Sequence, residues 1–159
     1  MEELNDNAVG SSRILSAAHW LLSAALVATA VFFAYAVLQC LRSVERYGFP
    51  ATTDVDLLTG CIALAGAILL LDGMIRRLRS GEPLFTLENA RTFWLMALVV
   101  MVKVVVSVLV QAAISGANPA FRMNISFSVD ALLVVLVLYL LYAIFKHGSS
   151  LQAEVQDMV

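Results

Sequence analysis

The sequence predicts an all-α integral membrane protein: an antiparallel four-helix bundle with a short cytoplasmic amphipathic tail. Three observations carry this. The chain has 159 residues, of which 61% are hydrophobic and only 14% charged, against roughly 45–50% and 25% in soluble domains. Its mean hydropathy is +0.88, more apolar surface than a soluble body of this size can enclose. Its few charges also separate four long apolar stretches. The net charge of −2 gives no case for direct nucleic-acid binding, and two cysteines make no disulfide framework.

The first span covers about 16–41, with no charge between Arg13 and Arg42. Residues 1–7 are acidic and polar, without the basic start of a signal peptide, so this span is expected to be retained. The second covers about 57–75, broken only by Asp72. The third covers about 92–114, broken only by Lys103, and the fourth about 125–145, with Asp130 near its start. Each approximates the ~20 residues that cross a ~30 Å hydrocarbon layer. Backbone groups in lipid must pair internally, so the spans are helical. The ~10-residue alternating strands of a barrel are absent from the pattern. The whole chain, 1–159, reads as a single transmembrane domain.

Lys and Arg set the orientation. Arg13, Arg76, Arg77, Arg79, Arg91 and Lys146 fall on one side, and Arg42, Arg46 and Arg122 on the other. Both termini, loop 76–91 and tail 146–159 are therefore expected in the cytoplasm. The outer loops carry turn signals at Gly48 and Pro50, and at Asn118 and Pro119.

Lys103 lies near the middle of the third span. A lysine there costs roughly 3 kcal/mol to insert and needs a partner on another helix. Ser107 and Gln111 follow at i+4 and i+8, extending a polar stripe outward. Asp72 is the expected partner, with Asp130 the alternative. Such a group is either an ion pair fixing helix register or an ion, proton or ligand site. Thr59, Gly66 and Gly73 recur every seven residues, with Ala63 between, and Ala30 and Ala34 stand at i, i+4. These small residues suit close helix packing within the monomer, or a homodimer seam. Trp20 reads as an interfacial anchor, His19 as a partnerless histidine or a pH sensor, and Cys40 and Cys61 as two apolar thiols or an oxidised pair.

The inner loop places Arg76, Arg77 and Arg79 at the headgroups. Gly81 and Pro83 end the helix. Thr86 then suits the N-cap of a helix opening Leu87, Glu88 and Asn89. Leu84 and Phe85 offer a docking surface. In the tail, Leu151, Val155 and Met158 share one face, among Gln152, Glu154, Gln156 and Asp157. That acidic face favours protein contact over lipid. No recognisable catalytic, cofactor or metal-binding motif occurs, so a non-enzymatic role is expected.

Gly81, Pro83, Phe85, Glu88 and Asn89, followed by Phe145, Gly148, Leu151 and Glu154, make a pair of motifs. With the four spans, they resemble a family of small bacterial four-span membrane proteins filed as a domain of unknown function. Members are often encoded beside a helix-turn-helix regulator. The resemblance implies a bacterial inner-membrane protein that partners a small cytoplasmic transcription regulator through its loop and tail. The alternatives are a small oligomeric transporter using Asp72, Lys103, Ser107 and Gln111, and an immunity or scaffold protein acting through its spans and outer loops.

Overall fold

A computed structural model describes residues 2–48, 50–117 and 129–157. It holds four helices: α1 Glu2–Tyr47, α2 Thr52–Arg79, α3 Leu87–Ala117 and α4 Val129–Asp157. No strand occurs among the described residues. Each helix contains an apolar stretch long enough to span a bilayer: Ile14–Tyr47, Thr52–Arg79, Leu87–Ile114 and Asp130–Val155. The protein is a multi-pass membrane protein built as a four-helix bundle.

The bundle is open. Each helix packs on its neighbour in sequence, α1 on α2, α2 on α3 and α3 on α4, and no other pair meets among the described residues. Consequently little is buried: between 6% and 22% of each apolar window lies inside. The accessible surface of 11088 Å² far exceeds the roughly 7,800 Å² expected of a compact soluble monomer of this mass. Large apolar side chains such as Val27, Phe32, Leu64, Leu109 and Leu136 face outward on all four helices. Lipid is the solvent that tolerates this.

The best-packed part lies toward the end that carries residues 80–86, here termed the inner end. Met74, Phe93, Met96, Ala97 and Leu138 form a buried cluster there, flanked by Leu70, Leu71, Val135 and Phe145. Elsewhere α2 meets α3 through small side chains: Gly66 faces Val99, and Thr59 lies against Ser107. That matches packing within the monomer. Ala30 and Ala34 do not share that role. Both are exposed, and α1 instead buries Thr29 and Ala36.

The connections are closed by local hydrogen bonds. Gly48, at φ +79°, ends α1 and donates its N–H to the Val44 carbonyl. Gly81, at φ +87°, ends α2, where Ser80, Gly81 and Glu82 return N–H bonds to the carbonyls of residues 76–78. Thr86 caps α3: its Oγ1 accepts the Asn89 N–H at 3.1 Å, and Glu88 sits in the first turn. The turn at Asn118 and Pro119 lies outside the described residues, as do Arg122 and the first residues of the expected fourth span.

The main departure from expectation is the tail. The span expected to end near 145 continues as one unbroken helix to Asp157. Gly148 sits inside it, although a mid-helix glycine costs about 1 kcal/mol relative to alanine. The reason is steric. A Cβ at position 148 would lie 2.6 Å from Phe85 Cδ1 and 2.9 Å from Cγ. Phe85 also packs on Phe145 at 5.2 Å between centroids, and Phe145 on Phe93 at 4.9 Å. The inner loop and the α4 extension are thus one packed unit. Gly148→Val is expected to lower stability by about 1–3 kcal/mol, as overpacking does. Adding Phe85→Ala should recover most of that loss. Unfolding of both variants in mild detergent checks this, and the absence of recovery would remove the Phe85 contact as the cause.

Candidate functional site

Among the described residues, charged side chains and their partners gather in two clusters on the helices, both organised by α2, apart from a Ser43–Asp54 tie near the α1–α2 turn and the Arg77–Glu88 pair of the inner surface. The first lies toward the inner end. Asp72 is buried on α2. Its Oδ1 stands 2.6 Å from His19 Nδ1 of α1, and its Oδ2 accepts from Arg76 Nη2 at 2.6 Å. Both carboxylate oxygens are therefore occupied. His19, expected to lack a partner, is instead the link from α1 to α2. Trp20 beside it is 72% exposed, as an anchor in lipid must be.

The second cluster lies toward the other end, between α2 and α3. Lys103 Nζ donates to Asp56 Oδ1 at 2.8 Å, and Ser107 Oγ donates to the same oxygen at 2.8 Å. Thr59 Oγ1 is 3.1 Å from Ser107 Oγ. The expected Asp72–Lys103 pair is not formed, and the helix register explains why. Thr59 opposite Ser107, and Arg77 opposite Glu88, fix how α2 runs against α3. Asp72 then lies level with Phe93 and Trp94, about 14 Å inward of Lys103 at 1.5 Å per residue. Lys103 reaches the opposite way and carries its ammonium outward from the midplane, as long cationic side chains do in lipid. Gln111 is half-buried beyond the pair and takes no part in it.

The third group is the inner surface. Arg77 Nη1 donates to Glu88 Oε2 at 2.8 Å and Nη2 to Thr92 Oγ1 at 3.0 Å, pinning the end of α2 to the start of α3. Asn89 is fully buried and donates from Nδ2 to the Leu84 carbonyl at 2.9 Å, which holds the loop just before Phe85. Arg79 is exposed. Beyond Gly148, Leu151 is 49% exposed and Glu154 is exposed beside it. The structure thus joins Phe85, Phe145 and Gly148, ties Glu88 to Arg77, and leaves Leu151 and Glu154 facing outward.

The residue that sequence reasoning missed is Asp56, assigned to the outer loop because the span was begun at 57. A usable signal existed. Asp56, Thr59, Ala63 and Gly66 share one helical face, the face that meets α3. Nothing in the sequence ties His19 to Asp72 across 53 positions. Cys40 and Cys61 are free thiols. No group of three or more metal-ligating side chains occurs among the described residues.

No protein-family profile, curated protein or solved structure matches the chain.

The pairing has a direct test. Asp56→Asn and Lys103→Met should be non-additive in unfolding free energy, with a coupling of about 0.5–3 kcal/mol. Asp72→Asn with Lys103→Met should be additive. Coupling in the second pair and not in the first would reverse the assignment.

Proposed function

We propose that the protein is a non-enzymatic regulatory component of a bacterial inner membrane, and that its inner loop and α4 extension recruit a cytoplasmic protein. The observation that carries this reading is the packing of Phe85 onto Phe145 and Gly148. It makes residues 80–86 and the α4 extension a single rigid surface. Residues 150–157 of α4 project beyond that contact, by about 12 Å at 1.5 Å per residue. On this segment Leu151 and Val155 are exposed beside Glu154.

The composition of the extension supports a protein partner. No Lys or Arg follows Lys146, whereas Glu154 and Asp157 do. Anionic headgroups attract basic helices, so an acidic and apolar segment suits a protein groove with a basic rim. Such a groove takes an amphipathic helix by its i, i+4 anchors, here Leu151 and Val155. A small helix-turn-helix regulator is the partner that the family resemblance proposes. The Asp72 and Asp56 clusters act in this reading as register-fixing ties, with no step routed through them.

Crosslinked pull-down from native membranes tests the proposal, comparing the full chain with one ended after His147 and one carrying Leu151→Asp with Val155→Asp. A soluble DNA-binding protein should come down with the full chain. Recovery should fall about tenfold or more in both variants, since each loses at least one buried anchor worth some 1.4 kcal/mol. Equal recovery from all three would overturn it.

A further inference from the structure

A groove of about 730 Å³ runs between α1 and α2, and it shares only Asp56 with the clusters described above. Ala28 and Phe32 line it from α1, and Asp56, Gly60, Leu64 and Ile68 from α2. Its walls are mostly apolar: Thr29 lines it with its hydroxyl donated to the Ala25 carbonyl, and Asp56 and Thr53 close the end nearest the α1–α2 turn. The helices are tied on either side of it, by Ser43 donating to Asp54 toward the turn and by His19 with Asp72 toward the inner end. Between those ties the floor is open: a Cβ built on Gly60 meets nothing within 4 Å.

Two features define an occupant. From Asp56 to Ile68 the groove follows about 18 Å of helix, slightly more than half of the ~30 Å hydrocarbon layer. That is the reach of an acyl chain in one leaflet, whereas a helix from another copy would run the full thickness. Asp56 is also only half committed. Its Oδ1 takes Lys103 and Ser107, its Oδ2 has no partner among the described residues, and its side chain is 48% exposed. A carboxylate with a free oxygen, four residues from the start of α2, selects a hydrogen-bonding cation. A primary ammonium has three N–H donors, and a quaternary ammonium has none.

We propose that the α1–α2 groove binds a phospholipid with a primary-ammonium headgroup, its ammonium on Asp56 and one acyl chain laid along Gly60, Leu64 and Ile68. The lipid belongs to the leaflet nearest the α1–α2 turn. Its chain fills the gap between the two ties, and its headgroup shares Asp56 with Lys103. The site is independent of any cytoplasmic partner.

The test uses the full chain reconstituted in phosphatidylcholine vesicles doped with phosphatidylethanolamine, then extracted in mild detergent for native mass spectrometry. Retained lipid should be enriched in the ethanolamine form over the bulk by roughly tenfold, the scale of one charge-assisted hydrogen bond. Gly60→Leu fills the groove without touching the Asp56–Lys103 pair and should abolish retention. Asp56→Asn combined with Lys103→Met removes the carboxylate without stranding the lysine. It should keep a bound lipid and lose the headgroup preference. Retention of choline and ethanolamine lipids in bulk proportion by the unaltered chain would mean boundary lipid only and overturn the proposal. So would a Gly60→Leu chain that retains lipid unchanged, or one whose only change is conversion of a dimer to a monomer, which would place a second copy in the groove.

Discussion

Between helices in a bilayer there is no hydrophobic force, because the surrounding tails are as apolar as the side chains. Everything that holds this row together must therefore be a polar tie, a close approach or a shaped aromatic contact. α2 carries nearly all the polar ties. Asp54 and Asp72 reach α1, and Asp56 and Arg77 reach α3. The remaining junction, α3 to α4, relies on the buried cluster around Phe93, Met96 and Leu138 and on the aromatic stack of Phe93 and Phe145. The division is physically sensible. Polar ties specify register between α1, α2 and α3, and apolar and aromatic packing supplies it between α3 and α4.

The Asp56–Lys103 pair shows how such a tie is placed. A central lysine costs roughly 3 kcal/mol to insert, whereas interhelical hydrogen bonds in membranes return about 0.6 kcal/mol on average and 1.7 at most. One bond does not offset the insertion cost. Displacement does the larger share: the Lys103 side chain spends its length moving the charge outward, and Asp56 waits there at 48% exposure. Register removes Asp72 as a partner: it lies about 14 Å inward of Lys103 along the helix axis, beyond the combined reach of the two side chains. Asp72 is instead satisfied locally by Arg76, one helical turn away, and by His19.

The number of helices, their all-α character and the Thr86 cap were legible because they are local. They rest on length, hydropathy and capping chemistry over windows of one helix. Partners across helices were not legible for the same reason. Asp72 and Lys103 are the two charges deepest in the expected spans, with Asp130 nearer a span end, so pairing them follows from composition. The actual partners, Asp56 and His19, follow from register. A boundary set at 57 hid Asp56, and a helix end set at 145 hid the continuity of α4. Gly148 illustrates the limit best. In sequence it stands only as one residue of a tail motif, and the ring of Phe85, 63 positions earlier, gives it a reason to sit inside a helix.

Those local and distant contacts converge at the inner end. Arg77 closes α2 onto Glu88 and Thr92, in the first turns of α3. Asn89, in the same turn, holds the Leu84 carbonyl and so fixes the residue before Phe85. Phe85 then rests on Phe145 and Gly148 of α4. The position of the α4 extension is set by this run of contacts from the end of α2, since α4 touches no helix other than α3 among the described residues. A surface held this way is joined to α2 and α3 by direct contacts. It needs no fold of its own, which is how a segment of little more than two turns, marginal as an isolated helix, continues α4 as an ordered helix.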